Sequence, residues 1–252
     1  MKALVQAEVL KLRTTRTPVW LLLATLGAVA LTVTFTVADA AKNAPVSLDD
    51  PGVVAGAVGI SLQVPLVLVV LLGALAFTQE FRYGTVTSTY LGEPRRTRVL
   101  VAKWLSLALS SVVITAMTLA LSATLAIALV GSRDGAVTVA AQFWQMVAAG
   151  FFVIAAYGVI GVAVGALVRN QIAAVVGVMI WMNVVEQIVI TSFPAVGRWM
   201  PGGATWALLQ IGPSISLDGK LLSASAGGVV LVGYTAAAVA LALVVAPRRD
   251  VL

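Results

Sequence analysis

Six long apolar stretches divide this chain, and short segments between them hold most of its charged residues. Each stretch is about 20 residues or longer, enough for a helix to cross about 30 Å of hydrocarbon. Strands of a membrane barrel would alternate in polarity, and the stretches do not. We therefore predict an all-α integral membrane protein with one transmembrane domain over residues 1–252. The predicted spans are residues 18–38, 54–79, 104–130, 142–168, 172–192 and 225–246.

Composition supports this prediction and excludes several kinds of chemistry. Hydrophobic residues make up 60% of the chain and charged residues 10%, whereas soluble domains carry about 25% charged residues. Cysteine and histidine are absent, which excludes disulfides, thiolate nucleophiles, histidine bases and the usual zinc ligands. We read the net charge of +6 as a topological signal and expect no nucleic-acid partner.

The basic residues predict the orientation of the spans. If both termini are cytoplasmic, the inner segments contain twelve of the 16 Lys and Arg residues, as the positive-inside rule requires. The four on the outside are Lys42, Arg133, Arg198 and Lys220. We predict a multi-pass protein of the cell (plasma) membrane with both termini inside. The Ala38-Asp39-Ala40 triplet imitates a signal-peptide cleavage site, but the preceding apolar run is too long for a cleaved leader.

The outer connection over residues 193–224 is too polar and too rich in proline to span a membrane. It nevertheless contains Trp199 and Trp206, and tryptophan prefers the membrane interface. We predict one or two short helices here, re-entrant or interfacial. An ordinary surface loop is the alternative.

Few polar residues lie inside the predicted spans, and they are candidates for a transport pathway. Asn183, Glu186 and Gln187 have the i, i+3, i+4 spacing of one helix face. A glutamate at membrane depth is costly unless it is protonated, paired or hydrated. We expect Glu186 to reach the interface, to pair with Arg198, or to line a water-filled vestibule. Gln63 is a weaker pathway candidate, for which a packing role is the alternative.

Motifs for catalysis are missing from the sequence. No phosphate-binding G-x-x-x-x-G-K-[ST] loop, no HExxH and no carboxylate pair within a span occurs, although ATP hydrolysis or metal-dependent proteolysis would need such a motif. We predict that the chain is not an enzyme and holds no catalytic residue, cofactor or metal of its own.

The stretch from Gln79 to Arg98, QEFRYGTVTSTYLGEPRRTR, is the main polar interruption. At 100° per residue its side chains form two neighbouring rows, which predicts an amphipathic helix of about three turns ended by Pro94. The first row contains Arg82, Thr85, Thr89 and Glu93, and the second contains Tyr83, Val86 and Tyr90. The basic residues that follow are interpreted as anchors for topology and anionic lipid: Arg95, Arg96, Arg98 and Lys103.

The same segment, E-F-R-Y-G-T…L-G-E-P-R-R-T-R-V-L-V-A-K-W-L, resembles the cytoplasmic loop between the second and third helices of type-2 ABC export permeases. The resemblance extends to the basic N-terminal helix, the six spans and a Pro-Gly-Gly-Ala-Thr segment before the last helix. The loop residues that match are Glu80, Gly84, Thr85, Pro94, Arg95, Arg96, Arg98 and Lys103.

This resemblance implies partners and roles. It implies a separate ABC ATPase subunit that holds ATP and Mg²⁺, and a second permease as homodimer or heterodimer. It makes residues 2–16 an interfacial helix and residues 80–98 a coupling loop, and it places Gln63, Asn183 and Glu186 near a pathway between two permeases. The implied contacts with the ATPase are Glu80, Phe81, Arg82, Tyr83, Gly84, Thr85, Val86, Tyr90, Glu93 and Pro94.

We accordingly predict the permease subunit of an ATP-driven exporter that works by alternating access. Its substrates would be drug-like, amphipathic, lipid or peptide molecules. Two alternatives remain open: an ion- or proton-coupled secondary carrier that uses Glu186, and a non-transporting membrane scaffold or immunity protein.

Overall fold

The computed structural model of the protein describes residues 1–42, 48, 52–133, 135, 137, 141–211 and 220–246. Every regular element in these ranges is a helix. The elements are α1 (Lys2–Thr14), α2 (Arg16–Ala40), α3 (Val53–Ser61), α4 (Gln63–Arg82), α5 (Val86–Gly92), α6 (Arg96–Gly131), α7 (Ala141–Val168), α8 (Gln171–Ile180), a π-helical segment (Trp181–Val185), α9 (Glu186–Ser192), α10 (Pro194–Gly197), α11 (Pro201–Leu208) and α12 (Ala224–Val245).

Six helical segments in the described residues are long and apolar enough to cross a membrane, and each overlaps one of the six predicted spans. The second span runs on to Arg82, past the predicted end at residue 79, and the third begins at Arg96 instead of residue 104. Helical structure persists there because no residue between Pro94 and the apolar run breaks it. Arg96, Arg98 and Lys103 therefore belong to α6, and the predicted loop over residues 80–98 is shorter than expected.

The second span is interrupted at Leu62, between α3 and α4. Pro65 explains the position of this break. Its ring clashes with the carbonyl of the residue four positions earlier, which is Ser61, the last residue of α3. Gln63 consequently begins α4, where its side-chain Nε2 is buried without a hydrogen-bond partner among the described residues.

The centre of the bundle is the close contact between α4 and α7. A Cβ added to Gly165 of α7 would lie 2.5 Å from the carbonyl oxygen of Ala74, and one added to Gly161 would collide with the carbonyl of Val70. Such contacts between backbones are possible because glycine has no side chain. The glycines of the fourth span thus pack the two helices within one chain.

Contacts at the two ends of the bundle show that the first and third spans run in the same direction, as do the fourth and sixth spans. At one end the Arg133 guanidinium donates to the carbonyl of Val37, joining the ends of α6 and α2. At the other end Arg169, after α7, donates to the carbonyl of Ala246, after α12. This second end also holds α1, and we call it the α1 end. That it faces the cytoplasm stays a prediction.

The segment between the fifth and sixth spans contains the two short helices α10 and α11. Each begins with a proline at a position where its missing N–H costs nothing. Residues Gly202–Ala207 of α11 are buried, and Trp206 is buried among them while Trp199 is exposed. The surface-loop alternative is therefore wrong for α11. Pro213 lies outside the described residues, and the membrane depth of both helices stays a prediction.

Candidate functional site

Four charged side chains from three helices meet at the α1 end, and we call them the ion cluster: Glu8, Lys11, Glu80 and Lys103. The Lys103 ammonium lies 2.9 Å from Oε2 of Glu8 and 2.8 Å from Oε1 of Glu80. Lys11 lies 2.7 Å from Oε1 of Glu8 and 2.8 Å from Oε1 of Glu80. The cluster therefore joins α1, the last turn of α4 and the first third of α6.

Lys103 is the centre of the cluster, and its side chain is 0% exposed. Its third hydrogen bond goes to the carbonyl of Ala76, at 2.8 Å, so each of its three donors has an acceptor. A buried charge is tolerated only when it is paired in this way. The prediction that Lys103 anchors lipid is wrong, because its ammonium is enclosed by protein.

The cluster shifts the proton affinities of its members on α1. Burial alone would raise the pKa of Glu8, but the charge of Lys103 and the hydrogen bonds from Lys11 and Lys103 outweigh it, so this pKa is lowered. Burial would likewise lower the pKa of Lys11, yet its bonds to Glu8 and Glu80 raise it. Both residues are charged at neutral pH.

Sequence reasoning missed Glu8, although a signal was present. It is the first acidic residue of the chain, in a segment otherwise rich in Lys and Arg, and the next is Asp39. A lone acid among basic residues, three positions before Lys11, is the pattern of a specific ion pair. The sequence alone did not indicate that Lys103 is the third partner.

The predicted coupling residues at the end of α4 pack inward or bond within the chain. Glu80 is buried in the ion cluster. Phe81 stacks on Phe77 with ring centroids 5.5 Å apart, and the Arg169 guanidinium carbon lies 5.0 Å from the Phe81 centroid. Arg82 is exposed but donates to Oε1 of Gln171 at 3.3 Å. Glu80 is therefore corrected from a partner contact to a residue that fixes the end of α4. A partner contact for the half-buried Phe81 stays a prediction.

A turn at Tyr83–Thr85 follows, and α5 is shorter than predicted. Gly84 has φ of +67°, a conformation that residues with a side chain rarely adopt, and it separates α4 from α5. Glu93 is extended, as the residue before a proline prefers. The predicted helix of three turns from Arg82 to Glu93 is therefore wrong, and two turns over Val86–Gly92 replace it.

The faces of α5 also differ from the prediction. Val86 is 6% exposed and points into the bundle, so it is not available to a partner. Leu91 is 79% exposed and Tyr83 is 67% exposed. Thr87 is exposed four residues before Leu91, on the same helix face. We call Tyr83, Thr87 and Leu91 the loop surface. Leu91 was missed, although it is the only leucine between Gln79 and Arg98.

The remaining loop residues bond to one another. The Arg96 guanidinium carbon lies 5.3 Å from the Tyr90 ring centroid, and Arg98 lies 3.5 Å from Oε2 of Glu93. Burial, reinforced by the charge of Glu80, raises the pKa of Tyr90. Arg95 and Pro94 are exposed. That Arg95, Arg96 and Arg98 anchor the topology stays a prediction.

The ion cluster and the loop surface lie within the part of the chain that matches a known family. Residues 4–186 match the family of ABC-2 family transporter proteins. The chain belongs to this family. No curated protein matches it. As an ABC-2 permease it is a multi-pass membrane subunit of an ABC transporter, and its family implies an ABC ATPase partner.

The polar residues of the fifth span of this ABC-2 permease do not form one continuous surface. A π-helical segment over Trp181–Val185 interrupts the helix. Asn183 is exposed and its Nδ2 donates to the carbonyl of Met179, whereas Nε2 of Gln187 donates to the carbonyl of Met182. Glu186 is buried. The three residues predicted to share a face therefore have different surroundings.

Glu186 accepts two hydrogen bonds from neutral groups. The Trp181 indole Nε1 donates to its Oε1 at 2.9 Å, and the backbone N–H of Gly202, at the start of α11, donates to its carboxylate. Arg198 instead lies with its guanidinium carbon 5.9 Å from the Trp199 ring centroid. The alternative in which Glu186 pairs with Arg198 is therefore wrong, because the start of α11 lies beside the carboxylate.

Proposed function

We propose that this permease is the transmembrane subunit of an ATP-driven exporter in the plasma membrane. Two permease chains, identical or different, would work with two ATPase chains that hold ATP and Mg²⁺, and this chain would hold no cofactor. Drug-like, amphipathic, lipid or peptide molecules would leave the cell by alternating access. The observation that carries this proposal is an exposed loop surface attached to a buried ion cluster.

The loop surface is suited to an ATPase partner. Tyr83 and Leu91 are large exposed side chains at the α1 end of the bundle. On α5 and the turn before it they would form one apolar patch, and such patches mark sites of protein contact. With both termini inside, they would face the cytoplasm, where the ATPase is. Tyr83, Thr87 and Leu91 would then be the docking contacts in place of the buried Glu80 and Val86.

The ion cluster gives this docking contact a route into the bundle. The short turn at Gly84 ties α5 to α4, and Glu80 in the last turn of α4 is bonded to Lys103 of α6 and Lys11 of α1. A displacement of α5 would therefore move the ends of α1, α4 and α6 together. The ATPase can shift the permease between states only through contacts that differ between those states.

A cavity beside the cluster leaves α5 room for such a displacement. It has a volume of about 520 Å³ and is lined by residues of α1, α4, α5 and α6 and by the junction of α1 and α2. Lys11, Glu80 and Ser88 are among its lining residues. Because α5 is not packed against the bundle on this side, a small movement would not break a close-packed core.

Co-purification tests the proposal. The tagged permease is captured from its native membranes in mild detergent, and we expect an ABC ATPase in stoichiometric amounts. After reconstitution in liposomes, ATP added on the ATPase side should drive substrate transport, and an ATPase variant that cannot hydrolyse ATP should not. Transport driven by a pH gradient without ATP would instead establish a secondary carrier. Absence of any ATPase and of transport would establish a scaffold.

A further inference from the structure

A second cavity lies beside the fifth span and shares no lining residue with the cavity beside the ion cluster. It has a volume of about 560 Å³ and is bounded by α7, α8, the π-helical segment and α12, with α4 and α11 completing the wall. Pockets for organic ligands have volumes of about 300–1,000 Å³. Its wall is largely aliphatic, with Ile160, Val164, Leu167, Met182 and Leu241 among the lining residues.

Glu186 is the one charged side chain among the described residues that line this cavity. It is 3% exposed, and it forms no ion pair within the described part of the chain. The bonds from Trp181 and Gly202 orient the carboxylate. These donors are neutral and supply no opposite charge. A buried carboxylate needs an opposite charge to offset fully the free-energy cost of its removal from water.

Three aromatic side chains line the same cavity: Tyr157, Trp181 and Tyr234. The faces of aromatic rings attract cations, most strongly when both are desolvated. The Tyr157 hydroxyl lies 3.3 Å from Oγ1 of Thr205, so this polar group is already occupied and its ring remains as the contact. Aliphatic walls, aromatic rings and one carboxylate without a counter-ion together define the chemistry of a ligand.

We propose that this cavity binds hydrophobic organic cations, with Glu186 as their counter-ion and Trp181, Tyr157 and Tyr234 as aromatic contacts. A neutral lipid tail would satisfy the aliphatic wall but not the carboxylate. A small hydrophilic cation would satisfy the carboxylate but would lose its hydration without gain from the wall. Only an ion that is apolar and positive matches both parts of the site.

Binding to this cavity requires only the permease, whereas the statement that such cations are the exported substrates rests on the proposed function. The two are therefore tested separately. Binding is measured on the full permease chain without an ATPase, and transport is measured afterwards on the reconstituted complex.

The binding test uses radiolabelled tetraphenylphosphonium and permease in detergent, with empty micelles subtracted. We expect saturable binding in wild type and at least about a tenfold loss of affinity in Glu186→Gln, the loss that accompanies removal of one close charge pair. Gln keeps the size of the side chain and one of its two acceptor oxygens. Asp39→Asn, which removes a negative charge from the exposed end of α2, is the matched control and should bind as wild type.

Two further comparisons separate charge from hydrophobicity. In wild type, neutral triphenylphosphine oxide should compete at least tenfold more weakly than the cation. Its affinity should be about the same in wild type and in Glu186→Gln. Ala238→Trp, which adds an indole on the α12 wall, should abolish binding of both ligands while Glu186 is unchanged. This second variant keeps the test valid if Glu186→Gln does not fold.

The proposal is overturned if Glu186→Gln binds the cation within twofold of wild type, or if the neutral ligand binds wild type as tightly as the cation. Saturable cation binding without ATP-driven cation transport would uphold the cavity and reject these cations as substrates. ATP-driven transport of other molecules by a permease that binds no cation would reject the cavity and leave the proposed function standing.

Discussion

The Lys103 ammonium lies 2.8 Å from Oε1 of Glu80, and the Lys103 side chain has no contact with solvent. This pair joins the end of the second span to the third span. Lys103 is also bonded to Glu8, so one buried base holds two acids at the α1 end. This site lies directly before the loop that carries the exposed Leu91. Replacing a member of this pair therefore tests whether it stabilises the fold and whether it transmits a displacement of α5 to the spans.

Replacement of Lys103 should be strongly destabilising. Lys103→Met leaves Glu8 and Glu80 buried beside only one remaining base, and breaking a buried pair costs about 3–5 kcal/mol. The measurement is thermal unfolding of the purified permease in detergent. Arg98→Met is the control, because its contact with Glu93 is long and near the surface, and it should cost less than about 1 kcal/mol. Equal effects of the two changes would show that the cluster contributes no special stability.

The loop surface and the buried side of α5 should respond differently to charge. Leu91→Asp and Tyr83→Asp should abolish ATPase association and leave the fold intact, because both side chains are exposed. Val86→Asp should lower thermal stability and expression, because it buries an unpaired charge. Thr97→Asp adds the same charge to an exposed residue at the start of α6 and should do neither. Retained ATPase binding in Leu91→Asp would remove this residue from the docking surface.

The ion cluster predicts a defined pH range of stability. Because the folded pKa of Glu8 is lowered, its contribution is present above the unfolded pKa and is lost as the pH falls through the folded value. Because the folded pKa of Lys11 is raised, its contribution is present below its unfolded pKa and is lost as the pH rises through the folded value. The difference in melting temperature between wild type and Glu8→Gln should therefore be constant near neutral pH and shrink below about pH 4. A difference that grows with acidity would contradict the assignment.

Close packing of α4 on α7 should make Gly161 intolerant of a larger residue, whereas Gly177 on α8 should tolerate one. Gly161→Ala places a methyl group against the backbone of Val70, and we expect a loss of about 1–3 kcal/mol from overpacking. Gly177→Ala is the control, because a Cβ there meets nothing within 4 Å and alanine favours helix. The melting temperatures of both variants are measured by differential scanning fluorimetry. Equal stability of Gly161→Ala and Gly177→Ala would contradict a close backbone contact between α4 and α7.

We expect the orientation of the chain to depend on Arg95, Arg96 and Arg98 and not on the enclosed Lys103. Neutralising Arg95, Arg96 and Arg98 together should weaken the positive-inside bias and produce mixed orientations or low expression. Because the chain has no cysteine, single cysteines at Thr87 and Lys42 can report the two sides by membrane-impermeant labelling. Lys103→Gln should lower stability but keep the wild-type ratio of labelling at the two cysteines in the molecules that insert. Normal orientation of the triple variant with loss of ATPase binding would assign these arginines to coupling.

The sequence by itself determined the number, helical nature and approximate ends of the six spans. An apolar segment of this length must satisfy its own backbone hydrogen bonds, so its composition suffices to predict a helix. It also determined that the segment around Pro94 is a polar interruption. These features depend on residues that are neighbours in the chain.

Only the tertiary structure decided which charged and apolar side chains of the loop are buried. Lys103 and Arg98 are both basic residues near the start of α6, yet one is enclosed between Glu8 and Glu80 and the other is exposed. Val86 and Leu91 are likewise aliphatic residues of one short helix with opposite surroundings. Hydropathy describes the transfer of a segment from water. Whether a single side chain there meets lipid, solvent or an opposite charge depends on which helix, distant in sequence, packs beside it.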